Sequence, residues 1–530
     1  MGRRVSDACG IAARTPLARA SATSEALSVP LNLSGAMTTC TPLRYLEVKK
    51  NTGVVLVSNR GPVSFIESGD GYELKRGAGG LAGAMDPVAR KLGDEAVWIA
   101  AATSETDRRA LAAGQVERLP EELGYRVRLL DIDPDTYSQY YDVVSNRMLW
   151  FANHCLWDEL EIGSFGQTEL DAWESSYLPV NEAFASAVLD ESDADDLILF
   201  QDYHLAAAPR LVREQRPRQT IFHFTHSSFC ADGYDRLPEP VRTGVIEGLL
   251  GADLLGFHVA SWVNAFIDCC EKIGFSVDRE RGCVQHAGAT TWARAYPIPI
   301  DATALKELAG SETVRTWGDR FLGEATGPAV VRADRTEPSK NIVRGFEAFG
   351  ALLDRRKDLR HVTFFACLYA SRQSMAEYRQ YLEKINDAIA RVNDRHPDAI
   401  RMFLKDDYER TLGALSIYDV LLVNPIMDGM NLVSKEGVAV NRRAGALVLT
   451  RGAGSFQELG DFAVQVDNAL DIEETARAME RALETPEKER RRALEGARSI
   501  VESTKPEDWI YSQIDDLEAI AEGNAPKTPI

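Results

Sequence analysis

At 530 residues the chain is longer than one hydrophobic core supports, which predicts two large domains or more. Its 45% hydrophobic and 26% charged residues are those of an ordinary soluble globular protein. A formal net charge of -20 argues against a surface for nucleic acid or an anionic membrane, and confines any phosphate site to a local basic pocket.

In chain order, residues 1–48 are rich in Ala, Ser, Thr and Arg and poor in acids, without a sustained period, and read as a disordered extension. MGRRVS fits a loose myristoylation pattern and the Arg/Ser bias a transit peptide, but a plain extension with translation starting at Met37 is the simpler reading. Next, VVLV (54–57), DLILF (196–200) and TIFHF (220–224) read as buried parallel strands, each followed by a polar or glycine-rich turn and a helix. GPAVVRA (327–333), HVTFFACLY (361–369), DVLLVNP (419–425) and GALVLT (445–450) repeat the pattern. This alternation predicts an α/β fold, and the length predicts two doubly wound sheets. YPIPIDATALKEL, from Tyr296, reads as the joint: a proline-stiffened crossing into a new helix, placing the domains at 49–300 and 301–504. GNAPKTPI, 523–530, reads as a loose tail.

The most apolar stretch, GADLLGFHVASWVNAFIDCC, contains Asp253, His258 and Asp268, so no membrane span is expected. The eight cysteines are scattered, with only Cys269 and Cys270 adjacent and no CxxC pair. That pattern favours reduced thiols in a cytoplasm over a disulfide framework or a zinc site.

In doubly wound sheets ligands gather at the carboxyl ends of strands, and the turns there are chemically loaded. After VVLV comes Arg60, placed to grip a phosphate. GAGGLAGAMDPV lets backbone approach a ligand; it also fits GxGxxA, but without a strand immediately before it the dinucleotide reading is weak. QDYHL puts Asp202 and His204 at a strand end, and THSSF does the same for His226, though such a histidine is as often a satisfied buried group. VVRADRTEPSKN brings Arg335 and Lys340 into one loop, where two cations five apart make a diphosphate clamp or, more plainly, a solvated face. FFACLYASR ends on Arg372. DGMNLVSKE, Asp428 to Glu436, stands between a strand and a helix; its amides and the positive helix end suit a diphosphate, and its carboxylates suit sugar hydroxyls. The plain alternative makes Asp428 a helix cap.

Taken together, VSNR, GAGGLAGAM, YYDVVSNRMLW, QDYHL, FTHSSF, DLLGFH, YPIPID, DRTEPSK, ASR, DGMNLVSKE and GAGSFQEL resemble, in this order, the retaining GT-B glycosyltransferases of the trehalose-6-phosphate synthase type. The resemblance runs from about Val54 to Asp516. It implies two Rossmann-like domains facing a cleft, with PEDWIYSQIDDLEAIAEG (about 505–522) crossing back to the first. It implies acceptor binding by the first domain and nucleotide-glucose binding mainly by the second. Arg335 and Lys340 would then neutralise the donor diphosphate in place of a metal ion, and the amides around Met430, Asn431 and Leu432 would help. Asp428 would bind glucose hydroxyls, Glu436 the ribose, His226 the transferred sugar and Gly80 the donor through its backbone. Arg60, Tyr141, Trp150 and Arg372 would hold glucose 6-phosphate, with Asp202 close to the reacting hydroxyls. No cofactor and no metal is expected; the partners are the two sugar substrates, and a homo-oligomer is compatible with the sequence.

The chain departs from the family's usual pattern in reading HSSFC for HIPFP, TEPSKN for LDYSKG and PIPI for PIGI. TEPSKN resembles a branch that includes GDP-glucose users and pseudo-glycosyltransferases coupling cyclitols. The retained SNR motif and the Tyr141/Trp150 pair favour glucose 6-phosphate as acceptor. Glycerol 3-phosphate or a cyclitol phosphate is the alternative acceptor, and a catalytically silent regulatory homologue the alternative class. No DxDGT-like motif points to a fused phosphatase.

Overall fold

Val54–Val57 is an unbroken run of valine and leucine, the pattern of a parallel strand covered on both faces, and all four side chains are buried. The computed structural model describes residues 52–69, 71–77 and 80–530; the expected extension 1–48 lies outside the described residues.

The first sheet has nine strands in the order Arg126–Leu130, Ala96–Ala101, Val54–Arg60, Leu197–Gln201, Thr220–Phe224, Leu254–Phe257, Ala289–Ala295, Cys283–His286 and Ser276–Asp278. Neighbours are parallel up to Ala289–Ala295, and the last strands form an antiparallel edge. The chain builds outward from Val54–Arg60 on one side, then returns to pair Leu197–Gln201 on the other. That reversal opens a crevice at the carboxyl ends of these two strands, which is where Arg60 and Asp202 stand.

The second sheet is wholly parallel, in the order Ile400–Leu404, Thr363–Tyr369, Ala329–Arg335, Val420–Val423, Ala446–Thr450, Val464–Val466. Its order reverses between Ala329–Arg335 and Val420–Val423, so the turns carrying Lys340 and Asp428 meet at a second crevice. The helix Pro506–Ala521 returns to the first sheet: the Trp509 indole N–H donates to the Tyr296 carbonyl at 2.9 Å, and its ring meets Phe224 edge-on at 5.1 Å. The Tyr296 hydroxyl donates to Asp516 at 2.7 Å and fixes the helix further along. Among the described residues no helix is long and apolar enough to cross a membrane.

The expectation of reduced thiols throughout is corrected at one pair. Cys155 and Cys230, 75 residues apart in sequence, have Cα atoms 6.0 Å apart and form a disulfide. Spacing gave no sign of it, because the pair is set by the packing of Phe151–Asn153 against the helical turn Ala231–Tyr234. Cys269, Cys270, Cys283 and Cys367 are free and buried.

Candidate active site

The loop after Ala329–Arg335 is stitched to its own strand. Arg332, fully buried, pairs with Asp334 at 2.8 Å and donates to the Lys340 carbonyl at 3.0 Å. Asn341 holds a left-handed φ of 56°, a conformation asparagine tolerates better than most residues, and its amide donates to the carbonyls of Asn424 and Ala469. The altered spacer TEPSKN therefore still delivers Lys340 to the cleft, where Nζ lies 2.5 Å from Asp428 Oδ2. Burial opposes charge on Lys340, but Asp428 and Asp334 outweigh it and hold the ammonium above its ordinary range.

Asp428 also accepts from the Asn431 amide at 2.9 Å and from the Gly429 N–H at 3.0 Å. The cap of the helix Leu432–Val440 is Asn431, whose Oδ1 accepts from the Ser434 N–H at 3.2 Å, so Asp428 is free of the capping role. The first N–H groups of that helix, beside Met430 and Leu432, have no acceptor within it. Gly429 is required here: a Cβ would lie 1.9 Å from the His226 carbonyl oxygen of the first domain. Glu436, one turn along, is half-buried and accepts from the Tyr408 hydroxyl at 3.3 Å.

On the facing side, Arg60 is exposed at its strand end and donates to the Tyr141 hydroxyl at 3.1 Å. Tyr141 and Trp150 lie on Gln139–Trp150, a segment wound as a wide π-helix, a geometry often found at functional sites. Burial pushes the Tyr141 phenol up, but the Arg372 and Arg60 guanidiniums more than reverse it. Arg372, at a left-handed φ of 47°, donates to the hydroxyls of Tyr378 at 2.6 Å and Tyr203 at 3.3 Å. Its guanidinium lies 4.2 Å from the centre of the Trp150 ring, and that of Arg335 lies 5.9 Å from it. One indole thus lies beside both arginines. Asp202 accepts from the His226 N–H at 3.2 Å, and His226 Nε2 meets Gln201 Oε1 at 2.9 Å. Burial holds His226 neutral, well below its ordinary range. Gly80 opens the helix Gly80–Leu92; the two residues before it lie outside the described residues.

The model of glycosyltransferase family 20 matches residues 52–519. This chain belongs to glycosyltransferase family 20. Over 433 residues it is 30% identical to validamine 7-phosphate valienyltransferase of Streptomyces hygroscopicus subsp. jinggangensis, covering 80% of this chain and 85% of that one. It is 30% identical over 483 residues to trehalose-6-phosphate synthase of Mycolicibacterium vanbaalenii, covering 87% and 95%. A solved α,α-trehalose-phosphate synthase (UDP-forming) from Burkholderia xenovorans, in complex with glucose-6-phosphate, superposes with a TM-score of 0.73 at 26% identity, covering 88% and 100%. The family 20 chain accordingly has the GT-B fold and is a retaining hexosyltransferase.

Two polar side chains of this family 20 site escaped the sequence reading. Glu337 is fully buried between Arg335 and Arg372. His154 is also fully buried, with Nδ1 2.8 Å from the Trp150 carbonyl and Nε2 without a partner among the described residues. Burial drives its pKa down to about 4, against the pull of the Trp150 carbonyl, Asp428 and Glu337. The available signal was its place one helical turn after Trp150, on the same face.

Asp202 carries a pH signature. Burial pushes its carboxyl up to about 6 from an ordinary 3.8, and the hydrogen bonds of Tyr203 and His226 only partly offset this. Its φ of 71° adds backbone strain. Below the unfolded value both states hold the proton and nothing is lost; as pH rises toward the folded value the unfolded chain gains by ionising first, so stability falls. Asp202→Asn should therefore unfold at a higher temperature than wild type at pH 8, with the gap closing at pH 4. Equal unfolding temperatures at both pH values would count against this assignment.

Proposed function

We propose that this glycosyltransferase is an α,α-trehalose-phosphate synthase, transferring glucose from UDP-glucose or GDP-glucose to glucose 6-phosphate with retention. The observation that carries the reading is the arrangement of cations around Trp150: Arg335 and Lys340 on the loop of the second sheet, and Arg60 with Tyr141 at the crevice of the first, which Arg372 reaches from the second sheet. Two adjoining anion subsites match a donor diphosphate and an acceptor phosphate. Asp428, freed from Lys340 when the diphosphate takes that cation, receives the glucose hydroxyls together with Asn431, and Glu436 receives the ribose. His226 lies beside the transferred sugar and Gly80 offers backbone to the donor.

In the reaction the bond from glucose C1 to the diphosphate oxygen breaks while the acceptor hydroxyl attacks the same face. The departing phosphate oxygen takes that hydroxyl's proton. Arg335 and Lys340 offset the charge that grows on the leaving group, and the domains screen the oxocarbenium-like sugar from water. Asp202 orients the acceptor hydroxyls.

A cyclitol phosphate acceptor is the second reading, supported by the valienyltransferase relative and by TEPSKN. The retained SNR motif and the Tyr141/Trp150 pair favour glucose 6-phosphate over it and over glycerol 3-phosphate. Arg335, Lys340, Asp428 and Glu436 are all present, which argues against a silent regulatory homologue. Incubation with each nucleotide-glucose and a panel of these acceptor phosphates, read by mass spectrometry, should yield trehalose 6-phosphate. Product from another acceptor alone would favour the second reading, and no product from any would favour the silent homologue.

Transfer should also proceed undiminished in EDTA, because two cations already face the diphosphate and, among the described residues, no cluster of three His, Cys, Asp or Glu is placed to hold a metal. Loss of transfer in EDTA that magnesium restores would contradict this.

A further inference from the structure

Glu337 sits where the two proposed anion subsites join. Its Oε1 faces Arg335 Nε at 3.0 Å and Arg372 Nη1 at 3.7 Å, and accepts from the Ser371 hydroxyl at 3.0 Å. Its Oε2 is buried with no hydrogen-bond partner among the described residues. A fully buried carboxylate is costly unless compensated, and an orphaned buried oxygen is uncommon. Here the compensation comes from cations assigned to two different substrates. Burial pushes the carboxyl up, but Arg335, Arg372 and Lys340 more than reverse this and keep it ionised. The Glu337 carbonyl also accepts from the Lys340 N–H at 3.0 Å, so the same residue sets the backbone of the lysine loop.

We propose that Glu337 is a positioning residue, the shared counter-ion that ties the donor-side guanidinium of Arg335 to the acceptor-side guanidinium of Arg372. This rests on the reading of the two subsites given above. Glu337 touches neither substrate in this scheme and acts through the arginines. Two opposite consequences follow. Before substrate binds, its charge does part of what substrate phosphates do afterwards, so removing it leaves the cations in excess and strengthens ground-state anion binding. By gripping Arg335 at Nε it also aims the remaining N–H groups, so removing it costs the contact that matters as the diphosphate departs. Ground-state binding and turnover should therefore move in opposite directions.

The test is calorimetric titration of uridine diphosphate and guanosine diphosphate into the full chain, beside steady-state kinetics. Glu337→Gln keeps the volume and loses the charge, so it should bind the preferred diphosphate about threefold to tenfold more tightly, while kcat falls by about tenfold or more. Glu337→Asp keeps the charge and loses reach, so its affinity should stay at the wild-type level while kcat drops. A residue needed only for folding would weaken affinity and turnover together, and that result in Glu337→Gln would overturn the proposal. Should the glutamine variant fail to fold, wild-type kcat in Glu337→Asp would overturn it equally. Arg335→Ala separates the two levels: unchanged diphosphate affinity there would overturn the donor reading and this inference with it. Weakened affinity in Arg335→Ala, with both parameters unchanged in Glu337→Gln, would overturn this inference alone.

Discussion

Lys340→Ala lowers kcat by about a hundredfold or more, on the scale of one lost preorganised charge contact, with a much smaller change in the KM for glucose 6-phosphate. The size of the effect follows from burial. Lys340 has a side chain only 12% exposed, is held above its ordinary pKa range by Asp428 against the cost of burial, and is anchored at its carbonyl by Arg332. It is charged and aimed before substrate arrives, and in the proposed mechanism its contribution grows as negative charge collects on the departing diphosphate. The variant also leaves Asp428 without its 2.5 Å partner, so thermal unfolding of the apo protein should be measured alongside the kinetics. A kcat within a few-fold of wild type in a folded variant would contradict the assignment.

Arg60→Ala has the complementary effect. Arg60 is exposed, donates to Tyr141 and stands at the crevice of the first sheet, far in sequence from the donor loop. In the proposed function the phosphate held there does not react, so loss of Arg60 should raise the KM for glucose 6-phosphate by about tenfold to a hundredfold, the range of one charge-assisted hydrogen bond. Some loss of kcat accompanies it, because remote binding energy also orients the attacking hydroxyl. Varying each substrate in turn decides the matter: a raised KM for the nucleotide-glucose alone would exchange the two halves of the cleft.

The strands that the sequence announced are those buried on both faces. VVLV, DLILF and DVLLVNP read as unbroken apolar runs because parallel strands between helical layers have no wet face. Ala96–Ala101 is equally buried, but its alanines and tryptophan make AVWIAA a poor strand signal. The edge strand Ser276–Asp278 and its neighbour Cys283–His286 carry polar residues on a short hairpin, and their pattern is too brief to read. At the site, charged residues in strand-end turns were legible: Arg60, Asp202, Arg335, Lys340, Arg372 and Asp428 all lie in or beside those turns. Glu337 stayed hidden because a carboxylate in a polar loop looks solvated until the fold buries it between two arginines. The Cys155–Cys230 pair depends on how distant segments pack, which local sequence does not encode. That the TEPSKN spacer brings Lys340 to Asp428 is visible only in the left-handed Asn341 and in the contact itself.

The most direct measurement is the linkage of the product formed from nucleotide-glucose and glucose 6-phosphate, read by proton NMR after dephosphorylation. Front-face transfer between the two cation sets predicts a single non-reducing disaccharide with α configuration at both anomeric carbons. A β linkage at the transferred glucose, or free glucose as the only sugar released, would contradict it.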